Sequence, residues 1–230
     1  METAVTTITP PVKLNFMDVA QAGIKVGIKN AVPLLLAVVF WVLTVWIPYL
    51  NIGTTIAIAT IPMALARGET ITPAFIFDKK YRQFMGEFSL TLGFMTVGML
   101  GLAFTLVGPI IIGLAWSQAL FLVLDKRMSP TDAMIQSNKM MDGNKWIVFG
   151  LNAAVVFAFS ILSKVLGMIF GWIHLGFLIP IVFIAAMIAQ VFCQLGIAGV
   201  VYGKLTGQMV DVSDTPDETL TETPAETPAE

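Results

Sequence analysis

Hydrophobic residues in this chain are gathered into long continuous runs instead of alternating with polar residues. The runs cover residues 31–47, 52–66, 88–106, 110–124, 146–170 and 177–202. A helix needs about 20 mainly apolar residues to cross the hydrocarbon core of a bilayer. The pattern therefore predicts an all-α integral membrane protein with six transmembrane helices.

The second run, residues 52–66, is short and is interrupted by Pro62. A re-entrant hairpin is the alternative to a crossing at this point. That alternative would place the basic residues of the next connection, residues 67–82, outside the cell, against the tendency of lysine and arginine to remain in the cytoplasm. We therefore interpret the run as a crossing, which places Trp46 and Tyr49 at the outer interface.

A shorter amphipathic segment precedes each pair of runs, at residues 16–29, 72–85 and 129–142. The third has a helix start signal in Ser129-Pro130 and a stop signal in Gly143. Mixed basic and apolar side chains beside a span are typical of helices that lie in the headgroup layer. The apolar face predicted for the first of these interfacial helices consists of Phe16, Val19, Ala20 and Ile24.

The odd-numbered runs begin at Ala31, Phe88 and Trp146, at intervals of 57 and 58 residues. The chain therefore has the layout of three repeats, each an interfacial amphipathic helix followed by a transmembrane hairpin. We expect this six-span membrane domain to occupy residues 16–205. Residues 1–15 are predicted to be a flexible N-terminus.

Lysine and arginine are confined, with one exception, to segments that the six crossings place on one side of the membrane. The connections on the other side, residues 48–51, 107–109 and 171–176, have no formal charge. Cytoplasmic loops accumulate Lys and Arg, so both termini are predicted to be cytoplasmic in a bacterial inner membrane. The exception, Lys164, lies about 9 Å from the outer end of the fifth run by helical rise.

Composition agrees with membrane insertion, because 57% of the residues are hydrophobic and 12% are charged, against about a quarter charged in soluble domains. The single cysteine, Cys193, excludes a disulfide framework and a cysteine-based metal cluster. The single histidine, His174, has no neighbouring ligand for zinc or haem. We expect no metal ion and no cofactor.

Residues 211–230 contain seven acidic residues and no basic ones, whereas the rest of the chain contains 13 basic and 8 acidic residues. A repeat of Thr, Pro, Ala and Glu cannot form a core, so residues 206–230 are predicted to be a disordered acidic tail. One hypothesis is that this tail docks a protein partner. The other is that it only solvates the C-terminus.

The positive charge of the body suits the anionic headgroups of the cytoplasmic leaflet. Membrane lipids are therefore the expected partners, and no nucleic-acid partner is expected. The candidate lipid contacts are Lys79, Lys80, Arg82, Lys126, Arg127, Lys139 and Lys145.

Polar side chains inside the apolar runs form a candidate stripe. At 100° per residue, Asn152 and Ser163 differ in direction by about 20°. Such residues either line a polar pocket or hold neighbouring helices together through hydrogen bonds. The Gly199/Gly203 pair permits close approach of two helices. The stripe consists of Asn152, Ser160, Ser163, Lys164, Gln118, Gln190 and Gln194.

No Asp or Glu lies within a predicted span, which argues against ion-coupled transport. The chain has no GxGxxG, P-loop, GxSxG or HExxH pattern. No pair of carboxylates has a spacing that indicates acid–base catalysis. No catalytic residue is predicted.

Two passages carry a resemblance to a known family. The first passage begins at Val107-Gly108-Pro109 and ends with residues 133–146, which show the pattern AxxxSxxxMxGNKW directly before a span. The second passage consists of residues 176–180 together with Tyr202-Gly203-Lys204-Leu205. They resemble bacterial multi-pass integral membrane proteins of unknown function, which are similar to the membrane domain of some glycerophosphoryl diester phosphodiesterases. The resemblance covers mainly residues 107–205 and implies a multi-pass fold. It carries over no catalytic residue, because the phosphodiesterase domain is a separate soluble barrel.

Three hypotheses for function follow. The first is a non-enzymatic inner-membrane protein, a scaffold or accessory protein that acts through lipid or protein contacts. The second is a transporter or permease-like protein for a lipid or small amphiphile, suggested by the repeat and the polar stripe. The third, an intramembrane lipid-modifying enzyme, would need dispersed carboxylates to converge at the inner face.

The charge distribution makes a prediction about sidedness. A reactive tag introduced between residues 78 and 82 is expected to resist a membrane-impermeant reagent in intact cells and to react after permeabilisation. A tag at His174, in an outer connection, is the positive control. Labelling of residues 78–82 from outside would contradict the cytoplasmic placement of the basic residues.

Overall fold

The computed structural model describes residues 12–105 and 107–209. Within these residues every regular element is helical. Three short 3-10 helices cover Pro73–Phe77, Lys79–Phe84 and Gly176–Leu178. The α-helices are α1 (Phe16–Lys29), α2 (Ala31–Thr44), α3 (Pro48–Ala59), α4 (Ile61–Ala66), α5 (Met85–Gly101), α6 (Gly108–Ala115), α7 (Ala119–Lys126), α8 (Pro130–Met140), α9 (Lys145–Trp172) and α10 (Ile179–Thr206).

Several of these helices are long and apolar enough to cross a membrane. They form five segments, Pro48–Ala66, Lys79–Gly101, Gly108–Lys126, Lys145–Trp172 and Gly176–Thr206. A sixth is obtained if α1 and α2, which meet at an angle of 69°, are counted together. The prediction of an all-helical chain with several membrane-length helices is confirmed.

The bend between α1 and α2 has a local cause. The Asn30 side chain donates to the carbonyl oxygen of Val26 at 2.9 Å and so caps the end of α1. Pro33 then has no N–H to continue the hydrogen bonding of α1 into α2. The first predicted span therefore corresponds to α2, a helix of 14 residues that is about 21 Å long. It continues at an angle from α1, which is packed inside the molecule.

α1 runs antiparallel to the second half of α10, with the two backbones in contact. A Cβ atom on Gly27 would lie 2.5 Å from the carbonyl oxygen of Phe192, and one on Gly23 would lie 2.8 Å from the Cα of Ile197. On α10 the matching position is Gly196, where a Cβ would collide with the carbonyl oxygen of Gly23. Only residues without a side chain permit this approach.

This contact gives residues 16–29 a packing role in addition to the predicted interfacial one, whose apolar face includes Phe16, Val19, Ala20 and Ile24. The helix has the expected bounds, but Phe16 and Ile24 are exposed. The buried face consists of Val19, Gly23, Val26 and Gly27. A hydropathy pattern gives glycine little weight, so it does not reveal this face. Close contact between two helix backbones nevertheless requires glycine.

α4 packs against a neighbouring face of α10, parallel to it. A Cβ on Gly199 would lie 2.8 Å from the carbonyl oxygen of Pro62, and one on Gly203 would lie 3.0 Å from the Cβ of Ala66. The predicted role of the Gly199/Gly203 pair in close helix packing therefore holds in the structure. α1 and α4 together cover the second half of α10.

The buried core lies around the second half of α10. On α9 the buried residues are Val148, Leu151 and Val155, all in its first half. Beyond them, large side chains of the α9–α10 hairpin such as Phe157, Met168 and Phe177 are exposed. An exposed apolar surface of this extent is the one that a bilayer would cover.

The second predicted interfacial helix, residues 72–85, is not one continuous α-helix. Two 3-10 helices occupy these residues, and Asp78 between them has an extended backbone, with its carboxylate accepting from the N–H of Lys80 at 2.9 Å. An Asp that bonds to the backbone two residues ahead favours a turn over a continuous helix.

The fourth predicted span, residues 110–124, is broken into α6 and α7 between Trp116 and Gln118. The hydroxyl of Ser137 on α8 bridges the break, donating to the carbonyl oxygen of Ala115 at 2.7 Å and accepting from the N–H of Gln118 at 3.1 Å. The tertiary contact satisfies backbone groups that the interrupted helix leaves open.

The last residues of the predicted flexible N-terminus, residues 1–15, are held in place. Asn144 accepts from the N–H of Leu14 at 2.9 Å and donates to the carbonyl oxygen of Val12 at 2.8 Å. Leu14 and Asn144 are both buried. Residues 1–11, and residues 210–230 of the predicted acidic tail, lie outside the described residues.

Arg82 and Tyr49 were predicted to lie at opposite interfaces, yet the Arg82 guanidinium carbon is 4.9 Å from the centre of the Tyr49 ring. The aliphatic part of Arg82 also lies along Gly53. A hydrocarbon core is about 30 Å thick, so the two placements cannot both hold. The turn between α2 and α3 and the second 3-10 helix lie at the same depth.

The glycine contact makes a prediction about stability. Gly196→Ala forces α1 and α10 apart and should cost about 1–3 kcal/mol, as other overpacking substitutions do. Thermal unfolding in detergent would show it as a midpoint lower by several degrees. Gly93→Ala is the matched control, since a Cβ there meets no atom within 4 Å. An equal midpoint for both variants would contradict the contact.

Candidate functional site

The ends of three helices converge on one carboxylate. Asp125, near the end of α7, has a side chain only 6% exposed and forms an ion pair with Arg67, which follows α4. The hydroxyl of Tyr202 on α10 donates to its Oδ2 at 2.5 Å, and the amide of Gln208 donates to the same oxygen at 3.2 Å. The Lys126 ammonium lies 3.6 Å from that oxygen.

Helix packing brings these groups together. The contact of Ala66 with Gly203 places Arg67 beside Tyr202. Tyr202 is fully buried, and its ring meets Phe121 of α7 edge-on with ring centres 5.6 Å apart. The packing of α4, α7 and α10 and the hydrogen bonds to Asp125 therefore favour the same register of these helices.

The hydrogen bonding of Asp125 indicates a structural role. Both of its oxygens have partners, and a buried carboxylate is tolerated only when it is paired and hydrogen-bonded in this way. The Arg67 side chain is 35% exposed, so water screens part of the attraction. The group fixes the positions of three helix ends.

A cavity of about 520 Å³ lies next to Asp125. Its walls are formed by α4, residues 69–72, the second 3-10 helix and the end of α7. Three cationic side chains line it, Arg67, Lys80 and Arg127, together with the carboxylates of Glu69 and Asp125. The cavity is a polar depression with a small excess of positive charge.

Aromatic rings hold the two cations at its rim. The Lys80 ammonium is 5.1 Å from the centre of the Tyr81 ring and 3.2 Å from an oxygen of Asp78. The N–H of Lys80 lowers the pKa of the Asp78 carboxyl, so this partner is charged at neutral pH. The Arg127 guanidinium carbon is 5.5 Å from the centre of the Phe84 ring.

Arg67 is the third cation of the cavity and has two carboxylate partners, because it binds Asp125 and lies 3.4 Å from Glu69. Arg127 has a left-handed backbone, with φ of 52°. That conformation ends α7 and directs the chain towards α8, and it is costly for a residue other than glycine. A positioned cation at such a turn agrees with a binding role.

The seven predicted lipid contacts do not form one surface. Lys80 and Arg127 meet at the cavity, whereas Lys126 lies beside Asp125 and Arg82 beside Tyr49. Lys139 lines a groove between α5 and α8. Lys79 is exposed at the start of its 3-10 helix, and Lys145 is the first residue of α9.

The polar stripe is not a single site either. The Asn152 amide donates to the carbonyl oxygen of Val148 at 2.9 Å, and the Ser160 hydroxyl donates to that of Val156 at 2.7 Å, both within α9. Gln118 is buried at the break between α6 and α7. Ser163, Gln190 and Gln194 are half-buried and Lys164 is exposed.

Sequence reasoning missed Arg67, Asp125 and Tyr202 as a group. Each lies at the end of a different apolar run that the charge distribution predicts to be cytoplasmic, and that shared position is the signal that could have joined them. The separation of Arg67 from Asp125 matches the predicted repeat interval of 57 or 58 residues, whereas Tyr202 lies 77 positions beyond Asp125 and fits no such interval. In the described part of the chain, no three side chains of His, Cys, Asp or Glu are placed to share a metal ion.

No family model, curated protein or solved structure matches this chain. The resemblance to a family of bacterial membrane proteins therefore stays a prediction.

The Asp125 group makes a prediction about stability. Asp125→Asn keeps the shape but leaves Arg67 with only the exposed Glu69 as an ionic partner. We expect a loss of about 1–3 kcal/mol, below the range for a fully buried pair because Arg67 is partly hydrated. Thermal unfolding of a double-mutant cycle with Arg67→Gln measures the coupling. Lys126→Gln is the control and should have little effect. Additive losses in the cycle would contradict the pairing.

Proposed function

We propose that this protein is a non-enzymatic multi-pass protein of a bacterial inner membrane that binds anionic lipid headgroups at its cytoplasmic face. The observation that carries the proposal is the cavity where Arg67, Lys80 and Arg127 come together. Phosphate groups are bound well by arginine forks and by lysine ammonium groups. The role is that of a scaffold or accessory protein.

The position of the cavity supports a ligand from the membrane surface. It lies at the ends of α4 and α7, where apolar helices give way to charged segments. Anionic headgroups attract cationic side chains near the surface by about 1 kcal/mol each. The ion pair with Asp125 holds the Arg67 side chain in place. The cavity is therefore preorganised for an anionic ligand.

The proposal includes the threefold layout and cytoplasmic termini. The order of elements supports it: each unit has a short leading segment, an outgoing helix and a return helix. The return helices of the first two units are both interrupted, at Thr60 and between Trp116 and Gln118. The contact between Arg82 and Tyr49 indicates that the first hairpin enters the membrane less deeply than the others.

Transport and catalysis have less support. Asn152 and Ser160, which would have lined a pathway, use their side chains within α9. Among the described residues, the carboxylate with the most contacts, Asp125, has both oxygens bonded. A general base would need a free oxygen near a substrate.

Lipid binding can be tested by removing the two rim cations. Lys80→Gln with Arg127→Gln should weaken binding of phosphatidylglycerol in native mass spectrometry on the order of tenfold, since two surface cations are lost. Binding of phosphatidylcholine should not change.

Lys79→Gln with Lys145→Gln removes the same charge without touching the cavity and is the matched control. An equal loss in both double variants would mean that net charge, and not the cavity, attracts the lipid.

A further inference from the structure

A second concave surface lies between α5 and α8, apart from the cavity beside Asp125. It is a groove of about 490 Å³, within the roughly 300–1,000 Å³ typical of ligand sites. Phe94 of α5 and Trp116 form one wall, and Met134 and Ile135 of α8 form the other. Asn138 and Lys139 bring polar atoms to the C-terminal end of α8.

α8 presents this face because its other face is fixed. Ala133 and Ser137, one turn apart, are fully buried. The Ser137 hydroxyl bonds on both sides of the break between α6 and α7. The opposite side of α8 stays open, and Ile135 is 51% exposed.

The wall formed by Trp116 is also fixed. A Cβ on Gly98 would lie 2.6 Å from the far edge of the indole ring. The ring therefore occupies space that only glycine leaves open on α5. The groove keeps its shape without an occupant, which lowers the cost of binding one.

We infer that this groove binds an anionic phospholipid, with an acyl chain against Trp116 and Ile135 and the phosphate at Lys139 and Asn138. The apolar middle suits a hydrocarbon chain. The ammonium and amide groups donate to phosphate oxygens. Lys139 forms no ion pair within the described residues, so its charge is available to the ligand.

This site goes beyond the proposed function, because it shares no residue with the cavity beside Asp125. The cavity would hold a headgroup alone, whereas the groove combines one cation with an apolar wall. Lipid binding at one site can therefore be absent while binding at the other is present.

Trp116 provides a direct probe. In a full-length variant with Trp41→Phe, Trp46→Phe, Trp146→Phe and Trp172→Phe, Trp116 is the remaining tryptophan. Its fluorescence is measured in nanodiscs of phosphatidylcholine to which phosphatidylglycerol with brominated acyl chains is added. Bromine quenches indole fluorescence at contact, so quenching reports an acyl chain in the groove.

We expect half-maximal quenching at about fivefold less brominated phosphatidylglycerol than brominated phosphatidylcholine, as expected for one cation at an anionic surface. Lys139→Ala should abolish this preference. Lys145→Ala, which removes a nearby cation outside the groove, should preserve it, and so should the double variant at Lys80 and Arg127.

Three outcomes would overturn the inference. Equal quenching by both lipids means that Trp116 meets only bulk lipid. Quenching that Lys139→Ala leaves unchanged means that the cation takes no part. Absence of quenching means that the groove is covered by protein, either a second copy or a partner.

If the single-tryptophan variant does not fold, native mass spectrometry of the natural sequence replaces it. Lys139→Ala should then release one bound phosphatidylglycerol that Lys145→Ala retains. Retention by both variants would overturn the inference.

Discussion

The arrangement of the molecule depends on how closely two helices approach α10. Gly196, Gly199 and Gly203 leave one broad face of this helix without side chains, and α1 and α4 both approach it closely there. In a membrane, close packing takes the place of the hydrophobic force between helices, because lipid is as apolar as leucine. The enclosed half of α10 is also where the core lies.

The polar chemistry follows from that packing. Because α4 is set against α10, Arg67 and Tyr202 meet, and Asp125 joins α7 to both. A buried carboxylate contributes little net stability but penalises other arrangements strongly, since any shift leaves a charge unpaired. The group thus specifies one register of the three helix ends and fixes one wall of the adjacent cavity.

Both candidate sites lie beside interruptions in helices. The cavity adjoins the 3-10 helices that replace a predicted helix, and the groove adjoins the break that Ser137 bridges. Interruptions free backbone groups, and these need partners from elsewhere in the chain. The remaining halves of α9 and α10 have no such features and present apolar surface to their surroundings.

The sequence by itself determined the helical class, the positions of the long apolar helices and the bounds of α1 and α8, because hydropathy and capping residues act locally. The tertiary structure decided the buried face of α1, the clamp of Asn144 on Leu14 and the meeting of Arg67, Asp125 and Tyr202. Hydropathy measures the transfer of a side chain out of water, so it is insensitive to glycine contacts. It is equally insensitive to hydrogen-bond partners that lie more than a hundred residues away.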